Sequence, residues 1–279
     1  MAFDVITRQA RDTFIGRWDK RTDVGLMSEK RKTIVTPSGM LKQAAAWSFS
    51  LAYLPTLVAT CSMISAERRS TVGPQMARGW GWTVARLAGV KIRHTAAARA
   101  ALMTRKPRVL TFNHGSTIDV PLGASLLPDG GVLALKAEMR EMPLLGAGCV
   151  ALGSIFLERS NRDSAYATLQ ESSRRIQTER LQVLIAPEGT RAEDGQLGRF
   201  KLGAFHLAYE AKAPILPIVF HHAAEVWPRE YLAPIGGTVT VDILPEFVLT
   251  DGTPDGFRGA ADKLREDYQA SLDAGPGRC

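Results

Sequence analysis

Cysteine is scarce in this chain and follows no pattern. Cys61, Cys149 and Cys279 are the only three, an odd number at unrelated spacings, which argues against a disulfide framework and for a reduced, cytosol-facing compartment. Five histidines fall without the Cys/His spacing of a zinc site, so no metal is expected. Aromatic residues make up 7% of the chain and are not interleaved with arginine. No RNA- or DNA-binding module is recognisable either, so the net charge of +7 is not read as a nucleic-acid surface. A Gly-x-Ser-x-Gly elbow is missing, which weakens a serine hydrolase reading. Met1 to Arg21 mixes charges of both signs without an apolar centre or a small-residue cleavage site, so it is not read as a secretory signal. Internal repeats and low-complexity tracts are also missing.

With 279 residues, 45% of them hydrophobic and 23% charged, the chain can bury a sizeable core. Its basic balance fits an anionic membrane or phosphate-bearing substrates. Residues 1 to about 42 carry Arg8, Arg11, Arg17, Lys20, Arg21, Lys30, Arg31, Lys32 and Lys42 against few acids, and read as a solvated extension drawn to an anionic surface. Ala44 to Ile64 is 21 residues without a charge, long enough as a helix to cross a hydrocarbon core of about 30 Å. It is diluted by Ser48, Ser50, Thr56, Thr60 and Ser62, interrupted by Pro55, and flanked by Lys42 on one side and Arg68 and Arg69 on the other. Cations at both ends give no orientation; a segment that dips into one leaflet and returns accounts for both features, with a true span and a buried soluble helix as the alternatives. Pro74 to Ala88 follows with Met76, Trp80, Val84 and Leu87 on one helical stripe, and Trp80 and Trp82 suit a headgroup interface, although the same stripe could pack on the domain core.

Lys91 to Arg93 reads as a short strand, followed by an Ala-rich connection. From Arg108 onward, short apolar runs at 109–112, 132–135, 155–157, 183–186, 215–220 and 238–243 alternate with helical patterns at about 119–127, 163–178 and 203–211, and 256–274 reads as a closing amphipathic helix. The alternation predicts a layered α/β domain with a mixed, mostly parallel sheet flanked by helices, preceded by a helical membrane-associating segment. The expected divisions are a basic extension over 1–43, the membrane-associating segment over 44–90, and the α/β domain over 91–279.

The most informative stretch is Phe112-Asn113-His114-Gly115-Ser116-Thr117-Ile118-Asp119, placed as the end of a buried strand, a sharp turn and the start of a helix. Five residues of regular helix would leave His114 and Asp119 about 140° apart. The pair can meet only if His114 lies in the turn and Asp119 reaches back from the helix. An imidazole that gives one N–H to a carboxylate is fixed in tautomer, and its other nitrogen can take a proton from an alcohol. Taken alone, His-x4-Asp also fits a capping histidine beside a solvated aspartate.

Further blocks follow in order: Gly153-Ser154-Ile155-Phe156-Leu157-Glu158-Arg159, Pro187-Glu188-Gly189-Thr190-Arg191 and Leu216-Pro217-Ile218. Together with the His114 turn these resemble the four sequence blocks of the glycerolipid acyltransferase family, enzymes that acylate glycerol phosphate and lysophosphatidic acid. The resemblance runs from about Trp80 to about Leu249. It implies His114 and Asp119 as a catalytic dyad, and Arg159, Glu188, Gly189, Thr190 and Arg191 as the positions that bind the acceptor. Lys201 is a further cation that the family often shows here, and Lys136 a weaker one. Ala186 stands where the family usually has an aromatic residue, which bears on acceptor fit.

The implied reaction moves a fatty acyl group from acyl-CoA or acyl carrier protein to the hydroxyl of a lysophospholipid, lysophosphatidic acid foremost. It takes place at the cytoplasmic face of a membrane, with membrane lipid as partner and no cofactor beyond the donor. Backbone N–H groups near Gly115 and Ser116, or in the Gly189-Thr190 loop, are candidates to stabilise the oxyanion. Glu188 could order an arginine or accept from a glycerol hydroxyl. The alternatives are another acceptor (glycerol phosphate, dihydroxyacetone phosphate or a phosphate-free lysolipid), a silent lipid-binding protein on the same scaffold, and a hydrolase using Ser116. His206 reads as a core histidine, and His221-His222 as the end of a strand without a third partner.

Overall fold

In the computed structural model, residues 34–157, 162–190 and 197–277 are described, 162–165 by backbone alone. Arg159, Arg191, Cys279 and the cations of residues 1–33 therefore lie outside the described residues. All the strands expected from the sequence form, as β1 (Val90–His94), β2 (Arg108–Phe112), β3 (Gly131–Lys136), β4 (Ile155–Leu157), β5 (Gln182–Ile185), β6 (Ile215–His221) and β7 (Gly237–Ile243). They make one sheet in the order β1-β7-β6-β2-β5-β3-β4. Pairing is parallel throughout except between β6 and β7, so β2, β3, β4, β5 and β6 all end at one edge of the sheet.

The two faces are sorted by alternation along each strand. Val109, Val183, Ile185, Ile215 and Val219 face one core with the buried residues of α6 (Arg162–Thr178), α7 (Gly203–Glu210) and α9 (Pro254–Ala274). Leu110, Leu184, Leu216, Ile218 and Phe220 face the other core. That side is covered by α2 (Ala66–Leu87), α3 (Ala96–Leu102) and α4 (Asp119–Ser125). The short α5 (Leu145–Ala151) and α8 (Ala223–Val226) complete the helices used below. Burial on both faces is what a parallel sheet requires.

Four differences from the sequence expectations have physical causes. The Ala-rich connection is the helix α3, capped by Thr95, whose hydroxyl accepts from Ala98 N–H at 3.2 Å. Its carbonyl end is satisfied by the buried Arg108, whose guanidinium donates to Ala101 O at 2.8 Å, Thr104 O at 3.1 Å and Gln182 Oε1 at 2.5 Å. Apolar periodicity cannot reveal an arginine serving as a cap. Second, α4 ends at Ser125, before the expected 127. Third, of the two readings open for Trp80 the structure selects the core and not the headgroup interface: it is 8% exposed and its Nε1 donates to Ser50 Oγ at 3.0 Å. Trp82 is 57% exposed.

The fourth concerns the charge-free run, which does not turn back within itself. It lies in one helix, α1 (Pro37–Met63), capped by Thr36 and continuous through Pro55. The return leg is α2, packed antiparallel against it. Ser50, Thr56 and Ser62 donate to the carbonyls of Ala46, Ala52 and Val58, so the hydroxyls that dilute the run bond back onto the helix and remain compatible with an apolar surrounding. One stripe of α1 is buried, through Ala46, Ser50, Leu54, Leu57 and Cys61. The opposite stripe exposes Leu41 at 74%, Trp47 at 56% and Leu51 at 58%. This is the one helix among the described residues long and apolar enough to cross a membrane.

The crossing of α2 over α4 is unusually close. A Cβ on Gly81 would lie 2.3 Å from Pro121 O and 2.6 Å from Ser125 N, both backbone atoms of the helix that carries Asp119. Gly81→Ala is therefore expected to destabilise the protein by about 1–3 kcal/mol, whereas an exposed helical glycine usually gains about 1 kcal/mol on becoming alanine. Gly259→Ala, in α9 with nothing near its Cβ, is expected to show that gain. Urea unfolding of the two variants checks the contrast.

Candidate active site

The end of β2 is fastened on both sides before the histidine is reached. On the β6 side, the Asn113 amide donates to Phe220 O at 3.1 Å and accepts from Phe220 N–H at 2.8 Å, so a side chain completes the ladder where the backbone turns away. On the β5 side, Glu188 is 3% exposed. Its Oε1 accepts from His114 N–H at 2.7 Å and its Oε2 from Gly198 N–H at 2.9 Å. The carboxylate expected to face the acceptor is thus a brace between the histidine turn and the segment leading to α7. Beneath, the Tyr268 hydroxyl of α9 and Thr111 Oγ1 of β2 are hydrogen-bonded at 3.0 Å, both fully buried.

His114 lies in the turn and Asp119 at the first position of α4, with 2.9 Å between Nδ1 and Asp119 Oδ2. The same Oδ2 accepts from Ser116 N–H at 2.8 Å. Asp119 is 1% exposed and its Oδ1 has no hydrogen-bond partner among the described residues. Burial pushes the Asp119 carboxyl above its ordinary value, while the His114 ring and the N–H groups of Ser116 and Gly115 pull it down. Burial likewise raises Glu188, opposed by the His114 and Gly198 N–H groups. The His114 side chain keeps 22% of its surface exposed, Phe112 sets its edge against the ring at 5.9 Å, and no described residue bonds Nε2.

Two expectations change. The Ser116 N–H is taken by Asp119, so it is not free for an oxyanion. Ser116 is 2% exposed and its hydroxyl donates to Trp227 O at 3.0 Å; it is a tie to the segment after α8 and is not poised as a nucleophile.

The remaining candidates collect at the same edge of the sheet. Pro187 to Thr190 leaves β5 beside β2, with Gly189 at φ +70°, a conformation that favours glycine, and its N–H donating to Ala186 O at 3.1 Å. Thr190 is exposed, and Lys201, also exposed, gives its backbone N–H to Pro187 O at 2.8 Å. Lys136 ends β3. His206 is buried against Phe257, ring centroids 4.1 Å apart, and burial lowers it to about 4; it belongs to the core. His221 is buried at the end of β6, and the exposed His222 pairs with Glu225 at 2.9 Å. Among the described residues no three His, Cys, Asp or Glu side chains gather as metal ligands would. Asn113 and Tyr268 are the contributors that sequence reasoning missed. Asn113 adjoins the histidine and was visible; Tyr268 carried no signal.

A carboxyl raised by folding binds its proton more tightly folded than unfolded, so it costs stability as the pH rises from its ordinary value through the raised one. Asp119→Asn removes that cost. The unfolding free energy of the variant minus that of wild type is therefore expected to increase from pH 4 towards neutrality, as urea titrations at a series of pH values will show. Glu188→Gln puts an NH2 against one of two N–H donors, and a loss of turnover on the order of 10–100-fold with the fold retained is expected, read by steady-state kinetics and circular dichroism.

The chain was compared with known proteins. A family model described as Acyltransferase matches residues 90–221. A Saccharomyces cerevisiae protein named 1-acyl-sn-glycerol-3-phosphate acyltransferase is 31% identical over 172 residues, which cover 61% of this chain and 57% of that protein. A mouse protein named 1-acyl-sn-glycerol-3-phosphate acyltransferase alpha is 35% identical over 164 residues, covering 57% and 56%. The matched part thus spans little more than half of these relatives. The crystal structure of the 1-acyl-sn-glycerophosphate (LPA) acyltransferase PlsC from Thermotoga maritima superposes with a TM-score of 0.69 over 86% of this chain and 98% of that one, at 16% identity, a likeness of fold. The span from β1 to the end of β6 encloses the histidine turn, its aspartate and the Glu188 brace, and it is over these residues, 90–221, that the chain matches the Acyltransferase family model.

Proposed function

We propose that the protein transfers a fatty acyl group from acyl-CoA or acyl carrier protein to the free hydroxyl of lysophosphatidic acid, at a membrane surface. The observation that carries this reading is the His114–Asp119 pair. With Asp119 Oδ2 accepting at Nδ1, the imidazole proton sits on Nδ1 and Nε2 presents its lone pair on the exposed side of the ring. Nε2 takes the proton of the acceptor hydroxyl while that oxygen attacks the thioester carbonyl. The C–O bond forms, the C–S bond breaks as the tetrahedral oxyanion collapses, and the thiolate leaves with the proton held by His114. The buried Asp119 stabilises the imidazolium between these steps. No acyl-enzyme is needed, which agrees with Ser116 being tied to Trp227.

For the oxyanion, Ser116 and Gly189 already have acceptors for their N–H groups, so the N–H groups of Gly115 and Thr190 are our candidates. For the phosphate of the acceptor we propose Arg159 and Arg191, whose planar guanidinium groups suit bidentate phosphate binding, with Lys201 as a further cation. Both arginines follow soon after strand ends on the edge that carries His114: β4 ends at Leu157 and β5 at Ile185. The relatives' names support lysophosphatidic acid as the acceptor. The exposed stripe of α1 supports a membrane-bound position with α1 lying in the interface.

The test is thiol release from acyl-CoA by the purified protein, with and without lysophosphatidic acid. Acceptor-dependent release is expected, reduced about 10²–10⁴-fold in His114→Ala. Near wild-type release by that variant overturns the mechanism, and release that needs no acceptor indicates a hydrolase. Arg191→Ala is expected to lose the preference for lysophosphatidic acid over a phosphate-free lysolipid, measured as the ratio of the two kcat/KM values.

A further inference from the structure

Segment 227–236, between α8 and β7, exposes Leu232 at 52% and Ile235 at 42%. These continue a patch from the start of α1, where Val35 is 55% and Leu41 74% exposed. The two parts are joined: Ile34 N–H donates to Glu230 O at 2.7 Å, Leu232 N–H to Ile34 O at 3.1 Å, and Lys42 Nζ to Ile235 O at 2.7 Å. A Cβ on Gly39 would lie 3.2 Å from Pro234 O.

From this we infer that segment 227–236 is a second lipid-immersed element, a lip that sits with α1 in the interface of an anionic bilayer and brings the His114 turn to the lipid surface. The inference rests on the reading of α1 as membrane-facing and extends it to a part of the chain with no helix in it.

Three features favour lipid as the occupant. Non-helical backbone can face lipid only if its polar groups are satisfied within the protein, and here they largely are. Tyr231 N–H donates to Pro228 O, Ile235 and Gly236 N–H both reach Val226 O, and Trp227 Nε1 donates to Tyr231 O. Pro228 and Pro234 have no N–H to satisfy. Cations lie along the seam: Lys42 touches Gly89 and Gly236, and the exposed Arg86 and Lys91 flank Gly89 in sequence, a placement that suits anionic headgroups. The patch is also continuous with the exposed stripe of α1 through Leu41.

The inner side of the same segment holds the site. Trp227 O accepts the Ser116 hydroxyl at 3.0 Å, and a Cβ on Gly115 would meet Ala224 Cβ at 4.0 Å. An acceptor whose acyl chain stays in the bilayer would meet Nε2 across this lip.

The experiment places a bimane fluorophore on a cysteine at Leu232, Leu51 or Val248 in turn, in the full chain carrying Cys279→Ser. Mixed phosphatidylcholine–phosphatidylglycerol vesicles are added with and without brominated acyl chains. Cys61 and Cys149 are buried and stay unlabelled. Quenching at 232 comparable with that at 51, and none at 248 beside α9, is the expected result. Quenching at 51 without 232 overturns the lip while sparing α1; quenching at neither overturns both readings. A label at 232 already shielded before vesicles are added means that protein covers the patch, which also overturns the lip. Independently, Leu232→Asp with Ile235→Asp is expected to weaken vesicle affinity on the order of 10–100-fold. It should cut turnover of vesicle-borne lysophosphatidic acid and leave turnover of a detergent-dispersed acceptor unchanged. Unchanged turnover on vesicles overturns the proposal.

Discussion

A carboxylate with almost no access to water needs donors, and the placement of this one governs the molecule. Asp119 is held by one ring nitrogen and by the backbone of the turn before it, which is available only where a strand breaks sharply into a helix. That demand fixes the path from β2 to α4. It also requires α4 to stand hard against something, because a helix of seven residues cannot hold its own position. Gly81 lets α2 approach until backbone meets backbone, and Leu122 sinks into the sheet core on the other side. The charge at the centre is tolerated because everything around it is rigid.

The second carboxylate works differently. Among the described residues Glu188 bonds no side chain; it joins two main-chain N–H groups from segments that are far apart in sequence. Removing either loop would leave one oxygen of a buried carboxylate without its donor, which is among the costlier defects in a protein interior. Asn113 on the β6 side and Glu188 on the β5 side therefore hold the histidine turn by its backbone, and of the ring nitrogens only Nδ1 is engaged by a described residue, Asp119.

The sheet was legible because each strand is a short apolar run bounded by polar residues, and burial on both faces leaves a run such as Ile215 to Phe220 with no helical stripe to confuse it. The meeting of His114 and Asp119 was legible too, from the angular mismatch of five helical residues. The rest depends on partners that sequence does not show. Helix α3 is capped by an arginine from the next strand. Pro55 fails to break α1, and the hydroxyls beside it bond inward. Glu188 was assigned to the acceptor by resemblance, and its bracing role was not legible because a side chain that recognises main-chain N–H groups leaves no matching residue type to find. For Trp80 the sequence left interface and core both open, and only the packing of α1 shows that Ser50 receives its N–H.

The hydroxyl contact between Thr111 and Tyr268 sets an order on how the protein comes into being. Strand β2 cannot close its core until the chain has been made as far as residue 268, because Phe257, Leu264 and Tyr268 of α9 form part of the floor beneath the sheet. The apolar hairpin of α1 and α2 is finished at Leu87, long before residue 268 in synthesis. On the ribosome, which emits an N-terminus first, the exposed apolar surface of α1 is therefore made long before His114 and Asp119 are locked in place.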